Sequence, residues 1–451
     1  MRNDFALQQR ALQLIQRLRQ YLIDPSFAAG QRRRPQDFTR QCVLTFPVLM
    51  LVLLQKSLKS LQAHLHELLW QLGRGAADAP SASARALTHA RAKLLPSAFV
   101  ELNHAVVLPT VYGPAHAELV QHWRGLRLLG IDSSLLRLPD SAELREKFGV
   151  VQCANQHGAQ ESYPEGRVSV LYDLLNQIAL DAHLVASRQG ERELAHAHLP
   201  HVQATDLVIT DRGYSGYRWF VAVRQAGGHF LSRCSRGSFA IAQQLFARAQ
   251  AGVSVLATLR APPDCVPECR ERGWPLELTV RFVTVRLSTG QLEVLATSLL
   301  DEAAYPTECL GEVYWRRWGQ ETYYGRLKGR LDLEHCSGMT VEAVEQDFHA
   351  LVLLSNVESV VIGPAQAELA QASVGRPVPV QVNRAVSLHA LKTRLIELLA
   401  SDVPAAQVLA QLTAWFLDNP TRVRAGRTVR RREFSPSRSY HYQRRVRKIV
   451  F

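Results

Sequence analysis

The first quarter of the sequence carries apolar residues at the spacing of amphipathic helices. Apolar side chains recur every three or four positions over residues 44–55 and again over 58–69. Glycine and proline between 73 and 80 interrupt this pattern, and a further helix is predicted over 81–93. We expect several basic residues of this last helix to face phosphates: Arg85, His89, Arg91 and Lys93. Residues 1–120 are therefore predicted to be helical.

Strand patterns begin near Leu126. Short apolar runs at 126–131 and 207–209 predict two buried strands, and an aspartate follows each of them, Asp132 and Asp211. The intervening pattern predicts a hairpin and a crossover helix, at residues 168–175, 178–185 and 191–199. Strands that alternate with helices indicate a central α/β sheet.

The second half of the chain returns from strands to helices. Residues 237–300 alternate between apolar and polar positions and predict a β-rich insertion. Long helices are predicted over 306–332 and 341–362. The segment 363–379, rich in Pro, Gly and Ala, predicts a linker before the last helices near 387–417.

Composition indicates a folded protein with excess positive charge. The 451 residues are 47% hydrophobic and 21% charged, which excludes a mainly disordered chain. The formal net charge is +13, and residues 421–451 alone carry ten arginines and one lysine against one glutamate. Such a tail, interleaved with Phe and Tyr, favours a nucleic-acid partner, although a solvated tail without a specific role is the alternative. A smaller basic cluster combines residues 32–34 with Arg40.

Two further features bear on the compartment. The longest apolar run, 43–54, is too short to span a bilayer, and no secretory signal is visible at the N-terminus. Seven scattered cysteines favour reduced thiols. The pair Cys265 and Cys269 gives only weak support for zinc, and ordinary cysteines are the favoured interpretation. We expect a cytoplasmic protein without a membrane partner.

The predicted helix over 306–332 carries an unusual set of polar side chains on one face. At ~100° per residue, four of them project within an arc of ~60°: Tyr314, Arg317, Glu321 and Lys328. Gly325 lies on the same stripe and leaves room for a ligand. Charges on a solvated helix normally spread around its exposed side, so this arrangement indicates a functional surface.

Three carboxylates in this sequence are candidates for one metal site. Asp132 and Asp211 follow strands, where open α/β sheets place functional groups, and Glu321 lies on the helix face. Oxygen ligands of this kind suit Mg²⁺ or Mn²⁺, and a pair of such ions supports phosphodiester cleavage. Each aspartate alone would more often be a structural residue, but their joint occurrence with the helix face favours a site.

These residues resemble a known family. The pattern Tyr314-x2-Arg317-x3-Glu321-x6-Lys328 resembles the Y-R-E-K signature of DDE transposases from bacterial insertion sequences, in the branch named for insertion sequence four. Residues 130–134 (Gly-Ile-Asp-Ser-Ser) and 210–214 (Thr-Asp-Arg-Gly-Tyr) look like the first and second acidic motifs of that family. Residues 40–46 and 83–99 are similar to its N-terminal helical region. The resemblance covers most of the chain.

The resemblance implies a fold and a metal centre. The fold would be α/β, with an RNase H-like mixed sheet flanked by helices, interrupted by a β-rich insertion, between helical N- and C-terminal regions. Asp132, Asp211 and Glu321 would be the catalytic residues and the ligands of Mg²⁺ or Mn²⁺, with two ions expected.

The resemblance also implies residues that contact DNA. Tyr314 and Arg317 would engage phosphate near the transposon end, where a base is flipped during hairpin formation. Lys328 would contact DNA near the cleaved end, and Arg212 would hold the backbone. Three tryptophans are candidates for stacking on the flipped base: Trp274, Trp315 and Trp318.

The combined pattern predicts five segments. They are a helical DNA-binding region (1–120), the first part of the catalytic core (121–236), the β-rich insertion (237–300), the second part of the core (301–365), and C-terminal helices with a basic tail (366–451).

The predicted function is that of a transposase. It would bind terminal inverted repeats, then excise and insert an insertion sequence by metal-dependent cleavage and strand transfer through a hairpin intermediate. Its partners would be double-stranded DNA, both terminal repeats and target, and a second copy of the chain, in the bacterial nucleoid. A metal-dependent nuclease of the same fold and a catalytically inactive DNA-binding relic are the alternatives.

Overall fold

The computed structural model describes residues 2–40, 42–56, 60–73, 81–154, 160–287 and 290–423. The arginine-rich tail from residue 424 onward lies outside this range. The helices of the described chain are α1 (Arg2–Ile23), α2 (Pro25–Gly30), α3 (Phe46–Leu54), α4 (Leu61–Leu72), α5 (Ala84–Arg91), α6 (Ser97–Leu102), α7 (Leu108–Tyr112), α8 (Ala142–Phe148), α9 (Glu191–Ala197), α10 (Tyr217–Gln225), α11 (Ala240–Arg248), α12 (Val266–Arg272), α13 (Thr307–Trp315), α14 (Trp318–Gly329), α15 (Val341–Val361), α16 (Gly363–Ala372), α17 (Arg384–Ala400) and α18 (Ala405–Asp418).

Eleven strands accompany these helices within the described residues. They are β1 (Arg127–Arg137), β2 (Val150–Ala154), β3 (Gln160–Asp173), β4 (Ile178–Ala186), β5 (Asp206–Thr210), β6 (His229–Cys234), β7 (Ser254–Arg260), β8 (Glu277–Arg286), β9 (Leu292–Thr297), β10 (Val380–Val382) and β11 (Pro420–Arg422). The mixed α/β fold class predicted from the sequence is confirmed.

The chain forms two compact units. The first combines Met1–Val120, Leu136–Gly166 and Arg326–Phe451, and the second combines Gln121–Leu135 with Arg167–Gly325. Within the described residues the first unit is mainly helical, and its most buried helix is α15, which packs against α1, α3 and α6. The five segment boundaries predicted from the sequence stay predictions.

A buried ion pair lies in the first unit beside α15. Arg91 at the end of α5 donates to Asp347 Oδ1 at 2.8 Å and to Gln346 Oε1 at 2.9 Å, and its side chain is buried. The prediction that Arg91 faces phosphates is therefore wrong, because its guanidinium is used to neutralise a buried carboxylate. The other three basic residues of this segment are exposed: Arg85, His89 and Lys93.

No single helix in the described part of the chain is long and apolar enough to cross a membrane. Within the described residues only the pair α15 and α16 has the combined length and apolar composition of a membrane span, and the two helices are bent by 47° at their junction.

The second unit is built on a mixed sheet. Its strands follow the order β4, β3, β1, β5, β6, in which β1 pairs with β5 and β5 with β6 in parallel. Apolar side chains of these strands form a buried cluster with Leu310 and Val313 of α13, which fixes that helix on the sheet.

The β-rich insertion differs from the prediction in how it is attached. β9 pairs antiparallel with β6, and β8 and β7 follow, so these strands extend the central sheet, and α11 and α12 interrupt them. The apolar alternation identifies the strands but contains no information about their partner. Only the pairing of Leu231–Cys234 with Val294–Thr297 reveals it.

Three predicted element boundaries are wrong. The helix expected over 306–332 is two helices, because the N–H groups of Arg316 and Arg317 bond to carbonyls three residues back and tighten the chain there. β1 does not end before Asp132 but continues to Arg137. The segment 363–379, expected to be a linker, contains α16. Pro364 does not prevent this helix, because it lies in the first turn, where proline is tolerated.

Helix α14 approaches β1 closely at Gly130. A Cβ atom at this position would lie 2.9 Å from Gln320 Oε1 and 3.1 Å from Leu174 Cδ2. Gln320 is fully buried and its Nε2 donates to the Val170 carbonyl of β3 at 3.0 Å. A Cβ atom added at Gly319 would lie 3.3 Å from Cδ2 of the same leucine. The glycines let α14 lie directly on the sheet.

We predict that Gly130→Ala destabilises the protein by about 1–3 kcal/mol, because Gln320 or Leu174 must move to admit the methyl group. Urea unfolding measures this change. Gly237→Ala is the matched control, since a Cβ there meets nothing within 4 Å. Equal stability of the two variants would contradict the close approach.

Candidate active site

Asp132 and Asp211 occupy matching places on neighbouring strands. β1 and β5 run parallel with Gly130 opposite Ile209, and each aspartate lies two residues beyond that pair. Successive side chains of a strand alternate between faces, so Asp132 points to the same face as Gly130, where α14 packs. The sheet register therefore places two carboxylates that are far apart in sequence at the same level of neighbouring strands.

Glu321 reaches the same face from the first turn of α14. Arg317, in the tight turn between α13 and α14, donates to Glu321 Oε1 at 2.9 Å and lies 3.8 Å from Asp132 Oδ2. One guanidinium thus bridges the first and third of the predicted acids. The Arg317 side chain is 6% exposed, whereas those of Asp132 and Glu321 are 25% and 28% exposed, so water partly screens the bridge.

A second arginine, which the sequence did not single out, neutralises Asp211. Arg233 of β6 lies 3.0 Å from Asp211 Oδ1 and 3.1 Å from Glu293 Oε1 of β9. Burial raises the pKa of Glu293. The apolar pattern of β6 marked a strand but gave no reason to separate Arg233 from other basic residues, since its role depends on the β5–β6 pairing.

Burial also perturbs Asp132. It raises the pKa of this carboxyl to about 6, although the Ser133 N–H and the charge of Arg317 act in the opposite direction. Glu191 adds a negative charge nearby, and it accepts a hydrogen bond from Ser133 Oγ at 2.8 Å. Tyr324 Oη donates to the Asp132 backbone carbonyl at 2.7 Å, which fixes the main chain behind the acid.

The structure separates the predicted aromatic residues. Tyr314 is 5% exposed and belongs to the apolar cluster of the sheet, with its ring centre 5.9 Å from the Arg317 guanidinium. Trp315 and Trp318 are 47% and 41% exposed, and their rings lie 5.8 Å apart. Trp274 instead packs against the buried cluster that contains Cys265 and Cys269.

The remaining predicted DNA contacts differ in exposure. Arg212 is exposed and begins a short 3₁₀ turn directly after Asp211, whose carboxylate accepts from the Arg212 N–H at 2.6 Å. Lys328, in the first unit, lies 3.4 Å from Glu334 Oε1 with 27% of its side chain exposed.

The predicted ligands have the chemistry that a hard divalent cation prefers, but ligand atoms of all three do not lie within 4.8 Å of one another in the described structure. They offer carboxylate oxygens only, which are the donors that Mg²⁺ and Mn²⁺ prefer. In the described structure each of the three acids pairs with an arginine. Arg317 pairs with Asp132 and Glu321, and Arg233 pairs with Asp211. A divalent cation bound by these acids would take the place of part of this arginine charge. The thiols of Cys265 and Cys269 lie 3.7 Å apart, and no third metal-ligating side chain of the described residues joins them.

Comparison with known proteins gives consistent similarities. The family described as "Transposase DDE domain" matches residues 123–357. The chain is 26% identical over 243 residues to "Transposase InsG for insertion sequence element IS4" of Escherichia coli (strain K12), which covers 52% of each protein. It is 31% identical over 113 residues to "Putative transposase InsZ" of the same organism, over 25% of this chain and 37% of that protein. The chain thus spans at most about half the length of these curated relatives.

Among solved structures, the chain is similar to the piggyBac transposase in the "synaptic complex with hairpin DNA". The similarity covers 92% of this chain and 85% of that chain, at 8% identity and a TM-score of 0.39.

We predict that Asp132→Asn stabilises the metal-free protein near neutral pH. The folded pKa of about 6 exceeds the ordinary 3.8, so the stability that this acid contributes is full below pH 3.8 and is lost as pH rises through 6. Asparagine cannot ionise and avoids this loss. In a chelator, unfolding at about pH 7.5 should show a gain of about 1–3 kcal/mol, which disappears near pH 4.

Asp140→Asn is the control with the opposite sign. The hydrogen bond from Arg145 lowers the pKa of Asp140, so its ionised form supports folding and the substitution lowers stability at neutral pH. A stability difference for Asp132→Asn that did not change with pH would contradict the raised pKa.

Proposed function

This chain belongs to the transposase DDE domain family, and we propose that it cuts and joins DNA strands at the ends of an insertion sequence. The observation that carries the proposal is the placement of Asp132, Asp211 and Glu321. Register pairing of β1 with β5 aligns the two aspartates, and Arg317 contacts both Asp132 and Glu321. Two carboxylates at matching strand positions and a third joined to one of them by an arginine support phosphoryl transfer over unrelated structural roles.

The three acids would hold two divalent ions, Mg²⁺ or Mn²⁺. Ions bound there would activate the attacking oxygen and stabilise the leaving oxygen of a phosphodiester. The protein itself supplies a rigid frame, because Asp132 lies within a strand and its carbonyl is held by Tyr324. Water would open the first strand, and the freed 3′ hydroxyl would attack next.

Arg317 would change partners when DNA binds. Its guanidinium bridges Asp132 and Glu321 in the described structure, and a bound cation would take over that charge. The guanidinium would then be available for bidentate contact with a phosphate at the transposon end. Tyr314 would engage the same region through Arg317, since its ring is buried beside that side chain.

The exposed tryptophans next to Arg317 would stack on an extruded base. Trp318 lies 5.6 Å from the Arg317 guanidinium, and Trp315 packs against Trp318. An exposed aromatic pair can hold an unpaired base by stacking, which is needed when the second strand is cut through a hairpin. Trp274 is less suited to this role because it packs in a protein core cluster.

The wider proposal concerns partners. The helical N-terminal region and basic surfaces would bind terminal inverted repeats, Arg212 would hold the DNA backbone, and Lys328 would contact the cleaved end. The active complex would contain two copies of the chain, joined through the C-terminal helices near 387–417, and target DNA. A nuclease of the same fold without strand transfer is the second candidate, and an inactive DNA-binding relic is the third.

We predict that Asp132→Asn, Asp211→Asn and Glu321→Gln each lower Mg²⁺-dependent cleavage of terminal-repeat DNA by at least ~10³-fold, because each removes a metal ligand. Gel-shift affinity for the same DNA should stay within a few-fold. Asp264→Asn, an exposed carboxylate of the same unit, is the control. Unchanged cleavage in any of the three acid variants would exclude the site.

A strand-transfer assay separates the candidates. Joined products with a target duplex support the transposase, cleavage without joining supports the nuclease, and binding without cleavage by the wild-type protein supports the relic.

We also predict that Arg212→Ala weakens binding equally for different DNA sequences and lowers the slope of log affinity against log salt by ~1, because one phosphate contact is lost. Salt titrations of DNA binding measure this slope. Arg260→Ala, whose side chain is 85% exposed on β7, should leave it unchanged. A sequence-dependent loss would instead assign Arg212 to base recognition.

A further inference from the structure

A cluster of three histidines and one aspartate lies in the second unit, apart from the catalytic acids. Asp181 and His183 are two residues apart on β4 and therefore lie on one face of that strand. His198 caps the end of α9, and His201 ends the 3₁₀ turn that follows. In sequence the four form the spacing Asp-x-His and His-x2-His.

All three imidazoles converge on a single oxygen. Asp181 Oδ2 lies 2.7 Å from His198 Nδ1, 2.9 Å from His183 Nε2 and 3.7 Å from His201 Nε2. His183 Nε2 is buried, and the orientation of its ring relative to this oxygen does not meet hydrogen-bond geometry. The distance of 3.7 Å from His201 Nε2 to this oxygen is too long for a hydrogen bond.

Ligand atoms of Asp181, His183 and His198 all lie within 4.8 Å of one another, and His201 joins Asp181 in a second such group. Zinc bonds of ~2.0–2.1 Å in a tetrahedron place the ligand atoms ~3.3 Å apart, and the three nitrogen–oxygen distances fall on both sides of that value. Three imidazoles and a carboxylate favour Zn²⁺ over Mg²⁺, which takes oxygen ligands. The donor set thus differs in kind from that of the catalytic acids.

The second nitrogen of His198 has the partner that a metal ligand needs. Its Nε2 lies 3.0 Å from Ser169 Oγ, which leaves Nδ1 to face the cluster. Hydrogen bonds of this kind orient histidine ligands and fix their tautomer. Ser169 Oγ in turn donates to the Asp132 carbonyl at 3.4 Å, so the cluster supports the strand that carries a catalytic acid.

A hydrogen-bonded series with the order of a hydrolytic triad also occurs here, from Ser169 through His198 to Asp181. Ser169 and His198 are both fully buried, so no substrate reaches the hydroxyl. A nucleophilic role is therefore excluded by access.

We propose that Asp181, His183, His198 and His201 form a structural Zn²⁺ site that ties β4 to the end of α9 behind the catalytic face. The site is independent of the proposed transposase function.

Zinc content tests this proposal. The full-length protein, dialysed against zinc and then against buffer, should retain one equivalent by mass spectrometry, and Co²⁺ in its place should give the intense visible absorption of a tetrahedral site. His183→Ala and His201→Ala should each weaken zinc binding at least ~100-fold in competition with a chromophoric chelator. His201→Cys keeps a zinc ligand and should retain the metal.

Two controls separate the site from other metal binding. His122→Ala, an exposed histidine of the same unit, and Asp132→Asn, at the catalytic acids, should both retain zinc. Wild-type protein that holds no zinc, or zinc that is lost equally from Asp132→Asn and His183→Ala, would overturn the proposal. The Co²⁺ spectrum of the wild-type protein decides the question even if an alanine variant fails to fold.

Discussion

Repulsion between neighbouring carboxylates is the constraint on which the candidate site depends. Parallel pairing of β1 with β5 aligns Asp132 with Asp211, and α14 adds Glu321. Like charges on neighbouring elements in a partly buried place oppose folding unless cations offset them. Arg317 and Arg233 supply that charge from a turn and from β6. The protein thus folds with arginines as the counter-ions of these acids.

Much of this arrangement could be predicted from the sequence, because the strands before Asp132 and Asp211 are short apolar runs with few alternative structures. The other part of the family resemblance was the spacing of four residues, Tyr314, Arg317, Glu321 and Lys328. That spacing does not require a continuous helix, and the turn at Arg316 and Arg317 escaped prediction because helix propensity alone does not register a local tightening of hydrogen bonds.

What the sequence could not reveal depends on contacts between distant segments. Arg91 looked like a phosphate contact until burial paired it with Asp347. Arg233 became a site residue only through the pairing of β6 with β5, and β7 to β9 joined the sheet only through β6. The histidines around Asp181 are ordinary in sequence, since His183 and His198 lie on different elements. Periodicity reports which side of an element is apolar, not which neighbour covers it.

The continuation of β1 beyond Asp132 limits which insertions and deletions around this residue the gene can accept. Its backbone is part of a strand and is held by Tyr324, so it lacks the tolerance of a loop for added or missing residues. Because side chains alternate faces along a strand, the gain or loss of one codon between positions 130 and 132 would turn the carboxylate to the opposite face. A copy of the gene altered in this way would encode a protein in which Asp132 no longer lies level with Asp211 on the neighbouring strand.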